Sequence, residues 1–180
     1  MTADKKKKLD LLYEELIEAI VVDSYLLPEN KFKSHAGPGM IRKAVDKGFP
    51  VDYADKNGRT LLLEAIRPNT TDSLSTLIEL GANVNHRDRW GRTAFYKACR
   101  EEDTEKAKLL LDAGANPNIT PYQYTNTVTV LDIVKAAASK KLAENPDNKR
   151  YQSKLDLIKQ IENHINNRQE QEVESCGMEL

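Results

Sequence analysis

Histidine and cysteine residues are the first to examine for catalysis or metal binding. The three histidines, His35, His86 and His164, are far apart in the sequence, and no short spacing brings them together. The two cysteines, Cys99 and Cys176, form no CxxC pair, so the chain has neither a disulfide framework nor the usual thiol-rich metal site. Phosphate-binding and dinucleotide-binding glycine motifs, HExxH and GxSxG are all absent. We therefore expect no catalytic residue, no metal and no cofactor.

An arginine-rich segment around the only tryptophan is better suited to binding than to catalysis. Trp90 lies between Arg89 and Gly91, with Arg87 and Arg92 close by. Guanidinium groups form paired hydrogen bonds with carboxylates and stack on aromatic rings. Trp and Arg are also over-represented among the residues that dominate binding energy at interfaces. The segment indicates a contact site for another protein. In the alternative interpretation, Trp90 packs on its own neighbours and the arginines are only solvated.

The composition favours a helical protein that is balanced in charge. The chain has 180 residues and a net charge of -1, which gives no general attraction to nucleic acid or membranes. It has only three Phe and one Trp, so the core must be aliphatic, which suits layers of short helices. Residues 5–8 are four lysines, which we interpret as a solvated helix start rather than a nuclear-import signal. Acidic residues interrupt the apolar stretch that follows, so we expect no signal peptide and a cytoplasmic protein.

Two independent series of residues repeat with the same period. Gly48, Gly81 and Gly114 are evenly spaced along the chain. The segment DKNGRT at 55–60 matches DRWGRT at 88–93, and the offset between these segments equals the interval between the glycines. A constant period of 33 residues, the interval from Gly48 to Gly81 and from Gly81 to Gly114, is typical of proteins built from stacked helical units. Such units stack because one short unit cannot bury its apolar face alone.

The repeated residues resemble the ankyrin repeat, which follows D-x-x-G-x-T-P-L-H-x-A and ends L-L-x-x-G-A-x-x-N. The full repeats are 55–87 and 88–120. The proline of the pattern is replaced by Leu61 and Ala94, and its histidine by Leu63 and Tyr96. The resemblance covers about 40–165 and implies an all-α solenoid of about four stacked helix–turn–helix units with short turn loops. Thr60 and Thr93 precede the helical segments and are predicted to be N-caps.

The ends of the repeat region are predicted to be atypical capping units. Residues 5–54 form an N-terminal capping repeat, with an amphipathic helix at 5–27, a loop that contains Pro28 and residues 37–39, and a helix at 40–47. Residues 121–168 form a C-terminal capping repeat in which three residues are inserted before Thr129. The whole of 5–168 is one ankyrin-repeat domain, and the polar segment 169–180 is predicted to be a flexible tail.

The turn tips and first helices of ankyrin repeats form a concave surface, and the resemblance places a mainly basic set of residues there. Seven of the twelve positions assigned to this surface are basic and only Glu101 is acidic, although the whole chain is balanced. Two tyrosines of the inserted turn are expected near the same rim. The predicted partner-binding residues are Lys56, Arg59, Arg67, Arg87, Arg89, Trp90, Arg92, Arg100, Tyr122 and Tyr124.

The resemblance implies a non-enzymatic protein-binding module, monomeric when free, whose partner has an acidic surface. A single-domain ankyrin protein suggests a stoichiometric inhibitor, such as a bacterial immunity protein that neutralises a cognate toxin. Three alternatives stay open: a scaffold or host-directed effector adaptor, nucleic-acid binding through the arginine-rich face, and, least favoured, an enzyme. The sequence also leaves open whether the convex face or the N-terminal helix takes part in binding.

Overall fold

The computed structural model describes residues 2–25, 36–123 and 128–177, and these residues form eight α-helices with no β-strand. Helices α1 and α2 span Ala3–Tyr25 and Ala36–Asp46, followed by α3 at Leu61–Glu64 and α4 at Thr71–Glu79. Helices α5 and α6 span Ala94–Arg100 and Thr104–Asp112, and α7 and α8 span Val130–Glu144 and Lys149–Gly177. One isolated antiparallel bridge joins Ala54 to Thr60.

The helices pack in two layers, in agreement with the predicted all-α solenoid. Odd-numbered helices α1, α3, α5 and α7 contact one another in sequence, and so do even-numbered helices α2, α4, α6 and α8. Within the units, α1 packs on α2, α3 on α4, α5 on α6 and α7 on α8. The result is four stacked helix pairs, of which the outer two cover the apolar faces of the inner two.

Threonine side chains cap the N-termini of α3, α5 and α7. For α3 and α5 this agrees with the prediction from the sequence. The Thr93 hydroxyl accepts a hydrogen bond from Tyr96 N at 3.2 Å, and the Thr60 hydroxyl accepts one from Leu63 N at 3.4 Å. Thr129 forms a capping box with Asp132, in which each side chain accepts from the backbone of the other residue. These caps satisfy backbone N–H groups that the first helical turn leaves free.

The core is continuous and mainly aliphatic. It runs from α1 to α8, and its fully buried members include Ile20, Leu62, Phe95, Leu110 and Ile158. One polar contact anchors the first helix: the buried Tyr13 hydroxyl donates to the carbonyl of Arg59 at 2.7 Å. Cys99 is fully buried and is a small residue of this core.

Hydrogen bonds between equivalent positions hold successive units in one register. Asn83 N donates to Asp52 Oδ1 and, one repeat further along, Asn116 N donates to Asn85 Oδ1, both at 2.8 Å. These bonds explain why a short polar side chain recurs at the end of each repeat. The same contact thus joins the first unit to the second and the second unit to the third.

The structure corrects one predicted boundary, that of α2, and shows how far α8 extends. Helix α2 begins at Ala36, so residues 37–39 belong to its first turn instead of a loop. Proline is tolerated there because the N–H groups of a first turn have no partner within the helix. The part of that loop that contains Pro28 lies outside the described residues. Helix α8 continues to Gly177, into the segment predicted as a flexible tail, because its Gln and Glu residues favour helix and no proline interrupts them.

None of the helices in the described part of the chain combines the length and the apolar character needed to cross a membrane.

Candidate protein-binding surface

The turns before α3 and α5 are each shaped by an aspartate. The Asp88 carboxylate accepts hydrogen bonds from the backbone N–H of Trp90 and of Arg92, both at 2.9 Å. The Arg92 side chain closes the same loop, since its Nε donates to Asp88 at 2.7 Å. Asp88 is 2% exposed, so these donors replace water around a buried charge. The turn that carries Trp90 is therefore rigid before any partner arrives.

The equivalent turn of the preceding repeat has the same arrangement around Asp55. Its carboxylate accepts from Asn57 N at 2.7 Å, Arg59 N at 2.8 Å and Arg59 Nε at 3.1 Å. Burial by itself raises the pKa of Asp55, but the two backbone N–H groups and the Arg59 guanidinium outweigh it, so the pKa is lowered. Asp55 is thus charged at neutral pH and holds Arg59 in place.

Trp90 is exposed at the tip of its turn and is contacted by two arginines. The guanidinium carbons of Arg92 and Arg89 lie 4.4 and 4.9 Å from a Trp90 ring centroid. Arg89 also donates to Asn57 Oδ1 of the preceding turn at 2.9 Å. The tryptophan nevertheless stays 45% exposed. It therefore packs partly on its neighbours, as the alternative interpretation expected, and still offers a large apolar surface to a partner.

Tyr122 lies beside Trp90 on the next turn. Its N–H donates to the Trp90 carbonyl at 3.1 Å, and the residue is 65% exposed. The Arg87 guanidinium lies 4.4 Å from the Tyr122 ring centroid and donates to the Thr120 carbonyl at 2.6 Å. We call Arg87, Arg89, Trp90 and Tyr122 the aromatic ridge. Tyr124 lies outside the described residues.

A groove of about 780 Å³ lies beside α3 and α5. Three of the predicted residues line it: Arg59, Arg67 and Arg92. The groove also contains Glu64, which the sequence analysis missed. Glu64 is 3% exposed and pairs with Arg59 Nη1 at 3.1 Å and Arg67 Nη2 at 2.9 Å. Two guanidinium groups thus neutralise one buried carboxylate at the floor of this concave groove.

Lys97 is the second groove residue that the sequence analysis missed. It lies one repeat period after Glu64, so the two residues occupy equivalent positions of α5 and α3. Its Nζ donates to the Leu63 carbonyl. Burial is the main cause that lowers the pKa of Lys97; nearby arginines lower it further, while Glu64 raises it. Their spacing of one repeat period is the feature of the sequence from which the proximity of Glu64 and Lys97 could have been predicted.

Lys56 and Arg100 lie apart from the ridge and the groove. Lys56 is exposed and borders a separate depression of about 470 Å³ between α1 and the first turn, with Lys6 and Asp10 on its opposite wall. Arg100 is exposed at the last residue of α5 and does not line the concave groove. Of the predicted residues that the structure describes, Arg59 lines both this depression and the groove, and Arg100 lines neither.

The histidines are spread over the molecule. His86 Nε2 lies 2.8 Å from the Gly58 carbonyl, and His164 Nε2 lies 2.9 Å from Asp112 Oδ1. His35 lies outside the described residues. Over 2–25, 36–123 and 128–177, no three His, Cys, Asp or Glu side chains are grouped so that they could hold a metal ion.

A model of ankyrin repeats, in three copies, matches residues 33–121. No curated protein gives a significant match to the sequence.

Proposed function

The chain belongs to the ankyrin-repeat family through residues 33–121, whose repeats form protein–protein interaction modules, and on that basis we propose that it is a stoichiometric binder that inhibits its partner. The specific form of this proposal is a bacterial immunity protein that neutralises a cognate toxin. The contact with the partner is made by the aromatic ridge and the adjoining concave groove.

The observation that carries this proposal is the exposed Trp90 on a turn that is already rigid. Holding a large aromatic side chain in its binding position before association reduces the entropy lost when the complex forms. Asp88 fixes the backbone of that turn, and Arg89 and Arg92 limit the motion of the ring. A Trp surrounded by arginines is also the composition expected of a binding hot spot.

The concave groove favours a protein partner over a nucleic acid. Glu64 neutralises part of the arginine charge, and Glu101 and Glu105 also line the groove. Carboxylates in a groove repel a phosphate backbone, whereas a protein surface with mixed charges tolerates them. Nucleic-acid binding remains the alternative to test, by asking whether affinity for bare DNA or RNA falls steeply with salt.

The test is affinity purification of the tagged protein from lysate of its native cell, with mass spectrometry of the eluate. Wild type is compared with the double variant Trp90→Ala/Arg89→Glu. The matched control is Leu11→Ala/Lys159→Glu, which also truncates an exposed apolar side chain and reverses a charge. Leu11 is 64% exposed, and the Lys159 side chain is 69% exposed.

One stoichiometric protein that is retained by the control and lost from the Trp90 variant supports the proposal. The partner's activity, measured with and without this chain, then separates an inhibitor from an adaptor or scaffold. A partner that the Trp90 variant retains and the control loses moves the site to the capping helices. Eluates that contain only nuclease-sensitive material refute protein binding.

A further inference from the structure

Two arginines of the aromatic ridge have no carboxylate partner. Arg87 and Arg89 are both exposed, and neither forms an ion pair with another residue of the described ranges 2–25, 36–123 and 128–177. Asp88 lies between them in the sequence, but its carboxylate pairs with Arg92 at 2.7 Å and accepts from two backbone N–H groups. The ridge therefore carries two positive charges that the described part of the fold does not neutralise.

The arginines of the concave groove differ in this respect, because each pairs with a carboxylate of the chain at 3.1 Å or less. The pairs are Arg59 with Asp55 and Glu64, Arg67 with Glu64, and Arg92 with Asp88. A carboxylate of a partner would have to compete with these internal pairs for the same N–H groups. The free binding capacity for an acidic side chain is thus on the ridge and not in the groove.

Arg87 and Arg89 are each held by an aromatic ring and an uncharged acceptor. Arg87 is directed to the following unit, where its guanidinium lies 4.4 Å from the Tyr122 ring centroid and donates to the Thr120 carbonyl at 2.6 Å. Arg89 is directed to the preceding unit and donates to Asn57 Oδ1 at 2.9 Å, with its guanidinium 4.9 Å from a Trp90 ring centroid. These contacts orient both groups without removing their charge. A guanidinium has five N–H donors, so each keeps donors for a partner.

We propose that the aromatic ridge binds an acidic segment of the partner protein, in which one carboxylate pairs with Arg87 and another with Arg89, each through two parallel hydrogen bonds. This inference rests on the proposed function and names the partner chemistry at that site. The planar guanidinium matches a carboxylate in this geometry. Because both groups are already oriented by their rings, little further side-chain entropy is lost when the partner binds.

The stacking of the units sets the scale of the acidic segment. The two rings lie on the turns of neighbouring units, and helices packed side by side are about 8–10 Å apart. An extended chain advances about 3.4 Å per residue, so side chains on one of its faces repeat about every 7 Å. A segment with acidic residues at alternate positions therefore has carboxylates at a spacing that suits both arginines.

A nucleic acid fits the ridge less well than an acidic protein segment. Phosphate backbones bind tightly when many cations contact them in succession, whereas the ridge offers two uncompensated arginines. The adjoining groove adds the carboxylates of Glu64, Glu101 and Glu105, which repel phosphates. Nucleic-acid binding is therefore included in the test as the opposing outcome.

The test titrates the isolated full chain with the blocked peptides Glu-Gly-Glu-Gly-Glu and Gln-Gly-Gln-Gly-Gln, and with a thymidine tetranucleotide whose charge equals that of the glutamate peptide. Binding is followed by NMR at physiological salt, where the indole N–H of Trp90, the only tryptophan, gives a signal of its own. We expect the glutamate peptide to bind about tenfold more tightly than the glutamine peptide and to shift this signal.

Variants of the two arginines give the decisive comparison. Arg87→Gln/Arg89→Gln should lose the preference for glutamate, and Arg87→Lys/Arg89→Lys should recover only part of it, because an ammonium keeps the charge but lacks the planar pair of donors. The control Lys140→Gln/Lys159→Gln removes the same charge at exposed positions of α7 and α8 and should keep the wild-type preference.

Three results would refute the inference: equal binding of the two peptides to wild type, an unchanged preference in the glutamine or the lysine variant, or tighter binding of the tetranucleotide than of the glutamate peptide. None of them depends on whether the Trp90 variant loses its cellular partner. A partner captured through Trp90 without any preference for glutamate would refute only this inference. A preference for glutamate without a captured partner would refute only the proposed function.

Discussion

Gly91 is the position where one methyl group should disturb both stability and the aromatic ridge. Its φ is +79°, and a Cβ built on it would lie 2.8 Å from the backbone N of Tyr122 and 2.9 Å from two carbons of its ring. Gly114 has a similar φ of +88° but has no atom within 4 Å of the same Cβ position. Gly114→Ala is therefore a matched control for backbone strain without the contact.

The expected magnitudes follow from these two environments. A left-handed conformation costs an alanine about 1 to 2 kcal/mol relative to glycine, and reduced freedom of the unfolded chain offsets part of it. Gly114→Ala should therefore lose about 1 kcal/mol of unfolding free energy. Gly91→Ala must in addition displace Tyr122 and weaken its 3.1 Å hydrogen bond to the Trp90 carbonyl, a loss of about 1 to 2 kcal/mol more.

The assay combines thermal unfolding with the fluorescence of Trp90, which is the only tryptophan and reports directly on the ridge. At about 2 to 4 °C per kcal/mol for a chain of this size, Tm should fall by about 3 °C in Gly114→Ala and by about 5 to 10 °C in Gly91→Ala. The native emission spectrum should change only in Gly91→Ala. Equal shifts in Tm with unchanged emission in both variants would refute the close contact between the two turns.

Three further predictions concern the cap, the turn aspartate and the buried thiol. Thr93→Ala should lose about 1 kcal/mol of unfolding free energy in urea, because the bond from Tyr96 N is removed; an unchanged midpoint would contradict this. The lowered pKa of Asp55 means that its contribution to stability is complete above the unfolded pKa of about 3.9 and is lost as pH falls from that value through the lower pKa of the folded state. Asp55→Asn, which also breaks the pair with Arg59, should therefore be less stable at pH 7 and should lose less stability than wild type between pH 5 and pH 3, as measured by urea unfolding at each pH. Burial raises the pKa of the Cys99 thiol to about 12, so this thiol should be unreactive in the native protein at pH 7. In the variant Cys176→Ser, mass spectrometry should show that maleimide modifies the protein only after it is unfolded.

The fold was predictable from the sequence because its determinants are local and repeated. The threonine caps and the turn glycines each act within one unit, and the constant repeat period indicates similar units that stack on one another. The boundary error at Ala36 has a local cause as well. Proline and glycine at 37–39 predict a loop, but this composition is also compatible with the first turn of a helix.

The composition of the surface was only partly predictable. The sequence indicated arginines and Trp90 at the turns. The pairing of Arg59 with Asp55 and of Arg92 with Asp88 depends on the geometry of each turn. Because of these pairs, the two guanidinium groups are less free to move than solvated side chains. The placement of Tyr122 beside Trp90 depends on a backbone contact between turns that are distant in the sequence.

By itself, the sequence determined the class of fold, the units and the exposed tryptophan, because period, caps and turn residues act over a few neighbouring positions. The tertiary structure alone decided that Glu64 and Lys97 lie together in a groove with Arg59, Arg67 and Arg92. Stacking brings side chains from different units within ionic contact, and burial then determines which charges must be paired and which remain for a partner.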